Sequence, residues 1–294
     1  MIEIYLAIDE KRMALPLESP ANIAERLILL SDLLETARSD NHCTRWLRSS
    51  LYQTTIINGI TFSDLLFNRN NIPIDRDTQR LLQEQLGRCK DLDDVPNAEN
   101  TTKEQVAVWR KRGQAAACLV LDDQTVSDPA TVGSKAALFG FYRDVPELVS
   151  CSEEDYILHA KRSFPNIAFK PEIAREFKNF SESYTKIRPK MDRVLAVLND
   201  RLATIRHECH QDSGKIQKAL SSEAQLEVSP ESPNTHKNKK AMKEREAIFG
   251  GQSVCCEWHV KFQPNTDRMH FHFGIPSIAN GKILVCHFTQ HMST

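Results

Sequence analysis

Two spacings of apolar residues alternate along the chain. Ile2 to Ile8 alternate loosely, as a β-strand does; then the step lengthens, and Ile23, Leu27, Leu30 and Leu34 share one face of a helix. Ser19-Pro20 supplies its start, a capping residue followed by proline at the first helical position. Further helices are predicted around Ser63 to Leu66, over Asp77 to Cys89 and over Lys103 to Arg112. Asp91 to Thr102, rich in Asp, Asn and Pro, reads as a loop, and Ala115 to Leu121 as a buried strand. Residues 1–150 are therefore expected to form a mixed α/β region. Residues 151–222 are expected to be helical, with helices over Ser152 to Arg162 and Glu172 to Phe180. A longer helix opens at Pro189, with Met191, Val194, Leu198, Leu202 and Ile205 along one face. Ser221 to Asn234 is polar and broken by prolines, so a linker or surface loop and a boundary near residue 222 are expected.

From residue 223 the period shortens to two. Glu257 to Phe262 places Trp258, Val260 and Phe262 on one face and Glu257, His259 and Lys261 on the other. After a turn at Gln263 to Asp267, Arg268 to Phe273 alternates in the same sense, with Arg268, His270 and His272 opposite Met269, Phe271 and Phe273. If one aromatic face packs on a core, six ionisable groups crowd the other, exposed face. Lys282 to His287 forms a third strand, with an optional one near Leu226. Upstream, Lys237, Lys239, Lys240, Lys243 and Arg245 fall within one short predicted helix ending near Gly250-Gly251. The whole is expected to be α+β: a mixed α/β and helical N-terminal region followed by a small antiparallel sheet with a basic helix.

Composition narrows the possibilities. With 40% hydrophobic and 26% charged residues the chain is ordinary for a globular protein, which excludes disorder throughout. A net charge of -1 gives no overall pull toward polyanions, so a nucleic-acid site must come from local clustering. No basic leader and no membrane-length apolar run is present, and a cytoplasmic location with no membrane association is expected. Eight scattered cysteines without a Cys-x-x-Cys pair are expected to be reduced, mostly buried thiols. Phosphate-loop, dinucleotide and serine-hydrolase motifs are absent. His207-Glu-Cys-His210 reads as a helix end and Glu153-Glu154-Asp155 as the acidic first turn of a helix.

Five of the ten histidines lie beyond residue 250: His259, His270, His272, His287 and His291. The order of basic helix, strand Trp258 to Phe262, Arg-bearing strand Arg268 to Phe273 and terminal strand Ile283-Leu284-Val285-Cys286-His287 resembles the RelE-type ribonuclease toxins, part of a wider group with barnase-like and colicin-like tails. The likeness is confined to residues 223–294, and the long N-terminal region departs from a free-standing toxin. It implies a metal-independent endoribonuclease of toxin or phage-defence effector type, acting on RNA, with transfer RNA among the candidate substrates. Residues 1–222 would then engage a protein partner or antitoxin.

Such cleavage uses the 2′-hydroxyl as nucleophile and needs a base, an acid and cations against the phosphate. His259 and His270 are the candidates for proton transfer, Arg268 and Lys261 for phosphate, and Glu257 for orienting a histidine or acting as base; His287 completes the set. Lys237, Lys239, Lys240, Lys243 and Arg245 would grip the flanking backbone. No cofactor or metal is called for on this reading. One alternative is a metal-dependent nuclease on the same face, His270-x-His272 with His259 or Glu257 ligating zinc or manganese. The other is a non-catalytic subunit of a defence complex that binds nucleic acid or protein.

Overall fold

The computed structural model describes residues 2–14, 20–39, 42–57, 59–68, 74–121, 128–290 and 292–293. The expected helix cap at Ser19 and the terminal His291 lie outside these residues. The chain divides into two compact units, Met1–Cys151 and Ser152–Thr294; the break expected near residue 222 falls inside the second. Among the described residues no helix is long and apolar enough to cross a membrane.

Unit 1 is built on a five-stranded, wholly parallel sheet. Its strands are β1 (Ile4–Ile8), β2 (Cys43–Leu47), β5 (Lys90–Asp91), β6 (Ala115–Leu119) and β7 (Thr131–Val132), in the order β5-β2-β1-β6-β7. The apolar runs of β1 and β6 reflect burial on both faces, as parallel strands require. On one face Ile4, Leu6 and Ile8 meet α1 (Pro20–Arg38), α3 (Arg76–Leu86) and α5 (Lys135–Leu148) through Leu27, Leu30, Leu34, Leu82 and Phe141. On the other, Ala7 and Ala116 pack under Val106 and Trp109 of α4 (Thr102–Lys111). A hairpin of β3 (Thr55–Ile57) and β4 (Ile60–Thr61) leads into α2 (Phe62–Phe67), where Thr61 and Asp64 form a capping box. The expected loop after Asp91 instead continues a short edge strand into a helical turn at Leu92–Asp94.

Unit 2 is α+β. It opens with α6 (Glu153–Ser163), capped by Ser152, whose hydroxyl accepts from Asp155 N; the acidic first turn sits where the helix dipole favours it. Strand β8 (Ile167–Phe169) follows, and the helix expected over Glu172 to Phe180 is a run of 3-10 turns, Ile173–Asn179. The long helix α7 (Tyr184–Glu208) begins before Pro189 and buries Met191, Val194, Leu198, Leu202 and Ile205, the face read from the spacing. Asp212 caps α8 (Ser213–Ala224), whose last turn runs into the Ser221 to Asn234 stretch expected to be a linker or surface loop. The chain then enters the edge strand β9 (Glu227–Pro230), tied back to α8 by paired hydrogen bonds between Ser221 Oγ and Val228.

Two short helices, α9 (Pro233–Lys237) and α10 (Lys239–Glu244), replace the single basic helix, because the Asn238 side chain caps the second and so ends the first. A hairpin of β10 (Glu246–Phe249) and β11 (Gln252–Cys255) leads into β12 (Trp258–Lys261), β13 (Arg268–His272) and β14 (Ile283–Thr289). The main sheet runs β8-β14-β13-β12-β9, antiparallel except at β8. At the turn before β13, Asp267 adopts φ 54° and its buried carboxylate accepts from Ser181 N, Ser181 Oγ and Glu182 N. Trp258, Val260, Met269 and Phe271 are buried, as alternation predicts.

One cysteine expectation is corrected. Cys256, just ahead of β12, and Cys286 in β14 form a disulfide with Cα atoms 6.4 Å apart. Both sit in a small apolar cluster with Ala247, Val254 and Leu284, which holds them within bridging range.

Candidate functional site

The register of unit 2 aligns the chemistry. Ser229, His259, His270 and His287 stand opposite one another across β9, β12, β13 and β14, and Glu227, Lys261 and Arg268 form the next rung. A two-residue period puts both rungs on one face, so His259, Lys261, Arg268 and His270 are brought together as expected. The face is not open to solvent: His270 is 1% exposed, His259 7% and Arg268 8%. Its cover is the segment after β9, with Glu231, α9 and α10. Beneath it lies a partly open cavity of about 230 Å³ lined chiefly by Ser229, Glu231, Thr235, Arg245, His259, Lys261, Arg268 and His270.

At its centre stands a carboxylate that periodicity did not single out. Glu231 Oε1 lies 2.6 Å from Arg245 Nε, 3.4 Å from His259 Nδ1 and 3.8 Å from His270 Nδ1. Burial pushes its pKa up, but His259 and Arg245 outweigh burial and hold it down at about 2. Arg245 is fixed by donating to Ala241 O at 2.6 Å and Ser293 O at 2.9 Å, so the segment beyond β14 helps close the site. His259 Nε2 is 3.2 Å from Ser229 Oγ, and the two imidazoles face each other at 5.3 Å between centroids. Burial, and then the charge of His259, lower the His270 pKa to about 3, so its ring is neutral at pH 7. The Arg268 pKa is also lowered, by burial first; the guanidinium makes a 3.4 Å contact from Nη1 to Gln290 O. Lys261 pairs with Glu227.

Among the described residues, five buried polar atoms with no aligned hydrogen-bond partner converge here: Glu231 Oε1, Arg245 Nε, His259 Nδ1, and His270 Nδ1 and Nε2. Arg245 and Glu231 are in ionic contact, yet the N–H is not aimed along the short vector between them. Glu231, Arg245 and His259 balance one another's charge, while buried polar atoms are ordinarily satisfied and both nitrogens of His270 lack an aligned partner among the described residues.

Three expectations are corrected. Glu257 precedes β12 and its exposed carboxylate turns to His236 Nε2, 3.9 Å away, outside the cavity; Glu231 occupies the place expected for it. His287 shares the rung but does not line the cavity. Its Nδ1 lies 3.1 Å from Lys170 Nζ and its Nε2 3.1 Å from Glu246 O. Burial, then Lys170, lower its pKa. Arg245, expected among the exposed backbone-gripping cations, is 2% exposed and belongs to the centre, whereas Lys237, Lys239, Lys240 and Lys243 are exposed on α9 and α10. The ligand set is also corrected: His272 Nδ1 accepts from Gly274 N, and the described donors that cluster within 4.8 Å are Glu231, His259 and His270.

Comparison with protein-family models, curated proteins and solved structures found no match to this chain.

Proposed function

We propose that unit 2 is a metal-independent endoribonuclease of the RelE-like kind, working in the cytoplasm as a toxin or defence effector. The observation that carries the reading is the convergence of two imidazoles, a carboxylate and three cations on one small, polar, unsatisfied cavity beside four exposed lysines. In this scheme His259, oriented by Glu231, removes the 2′-hydroxyl proton. The phosphodiester sits against Arg268 and Lys261, and its negative charge raises the pKa of His270, which then protonates the leaving 5′-oxygen. Arg245 holds Glu231 in place and adds to the positive field in which charge on phosphorus develops. Lys237, Lys239, Lys240 and Lys243 bind the strand on either side. A protein partner on residues 1–151 would restrain the activity.

A second reading rests on the same three donors. Glu231, His259 and His270 are spaced to share one transition metal, which would make the nuclease metal-dependent. Arg245 beside the carboxylate and Arg268 across the cavity place positive charge where a cation would sit, which favours the first reading. Purified protein incubated with total cellular RNA separates them. Cleavage that survives chelation and disappears in His270→Ala and Arg268→Ala supports the first; cleavage abolished by chelator supports the second. Intact RNA in every lane overturns both.

A further inference from the structure

Unit 1 has a cavity of its own, and its position in the sheet is informative. From β1 the chain builds outward through β2 to β5, then returns to place β6 and β7 on the other side of β1. The strand order therefore reverses between β1 and β6, and in open parallel sheets ligands bind outside the carboxyl ends of the strands at such a reversal. Asp9 follows the last residue of β1, and its backbone N–H donates to Leu119 O at the end of β6, 3.0 Å away. Beside it, between α4 and the β6–β7 side of the sheet, lies a cavity of about 290 Å³, at the small end of ligand pockets.

Its ionisable lining is Asp9, Arg12, Lys103, Arg110, Cys118 and Asp128, with Val106 and Ala107 of α4, Ala130 and Thr131 completing it. Three cations converge on a space that two carboxylates share. Arg110 Nη1 is buried without a hydrogen-bond partner among the described residues, and the guanidinium acts through space on Asp144 of α5. Asp9 is 4% exposed, and one of its oxygens accepts from Lys11 N at 3.2 Å. Burial first, then the charges of Asp9 and Asp128, push the Cys118 thiol up to about 12. It is therefore no nucleophile, and the cavity is suited to binding rather than thiol chemistry.

We infer that this cavity binds a phosphate monoester of a hydroxylated sugar, no larger than a mononucleotide. Lys103 and Arg110, which line the space, take the phosphate. Asp9 and Asp128 accept from sugar hydroxyls, as an acidic residue does in dinucleotide sites, and the aliphatic face of α4 covers the apolar edge. With no glycine-rich loop after β1, phosphate recognition falls to side chains.

The test uses the full chain, titrated with inorganic phosphate, ribose 5-phosphate, AMP and adenosine in calorimetry and thermal melting. Ribose 5-phosphate or AMP is expected to bind and to raise the melting temperature, and adenosine to do neither. Lys103→Ala and Arg110→Ala should each weaken binding at least about tenfold, and Asp9→Asn should erase the preference for ribose 5-phosphate over phosphate. Each variant's melting temperature without ligand shows whether it is folded. Absence of binding up to about 10 mM, or equal binding in folded Lys103→Ala and Arg110→Ala, overturns the inference. Nuclease activity plays no part in any of these readouts.

Discussion

Replacing His270 with leucine is expected to stabilise unit 2 while abolishing RNA cleavage. The imidazole is 1% exposed and neither ring nitrogen has an aligned partner among the described residues; a buried polar atom in that state costs about 1–3 kcal/mol. A side chain of similar size without polar atoms removes that cost, so the variant should be more stable by about that amount near neutrality. A second contribution depends on pH. His270 is held at about 3 against an ordinary value of 6.5. Below pH 6.5 the unfolded chain takes up a proton there that the folded chain refuses until pH falls to about 3. Native stability therefore falls by about 1.4 kcal/mol for each pH unit across that window, and His270→Leu removes the slope. The stability difference between variant and native should widen by about 2 kcal/mol between neutrality and pH ~5. Urea unfolding in a background with Trp46 and Trp109 changed to Phe leaves Trp258 to report on unit 2. A variant less stable than the native chain, by an amount that does not change with pH, would show that His270 serves packing and would refute the reasoning.

Glu231→Ala should cost about 3–5 kcal/mol by stranding buried Arg245, and Glu231→Ala/Arg245→Leu should recover much of that stability but no activity. Because Glu231 is held at about 2 against 4.5, its contribution is full above pH 4.5 and is lost as pH falls toward 2, which acid titration of unfolding checks. Charge reversal at Lys239 and Lys243 should weaken RNA binding and flatten its dependence on log salt by about 0.7 per charge removed, read by fluorescence anisotropy. Reducing the Cys256–Cys286 bridge, which closes a loop of separation 30, should destabilise unit 2 by about 3–4 kcal/mol in the same unfolding assay. A reduced protein as stable as the oxidised one would mean the bridge constrains nothing.

Much of unit 2 was legible because its face is written in a period of two. His259, Lys261, Arg268 and His270 alternate with residues that the core demands, so their common face follows from pleating alone. What alternation cannot say is whether another segment covers that face. Glu231 sits between two Ser-Pro steps in a stretch of linker-like composition, and only the long-range bond from its N–H to Glu257 O shows that this stretch is the lid. Arg245 was visible as one more cation in a basic run; its burial depends on Glu231 and on Ser293, 48 residues away. His287 keeps its place on the rung, but its ring is taken up by Lys170 and by Glu246 O, 117 and 41 residues away, contacts that no spacing records. In unit 1 the apolar runs of β1 and β6 and the spacing in α1 stood out. The two-residue strands β5 and β7 are too short to carry any period, so the sheet order that creates the second cavity was not readable.

The end chemistry of cleaved RNA tests the proposed catalytic centre most directly. Attack by the 2′-hydroxyl, with His259 and His270 moving the protons, leaves a 2′,3′-cyclic phosphate on one fragment and a free 5′-hydroxyl on the other, in chelator and at neutral pH. Fragments with those ends from the native chain, and none from His270→Leu, are the expected result. Fragments carrying 5′-phosphates, or cleavage undiminished in a folded His270→Leu protein, would contradict it.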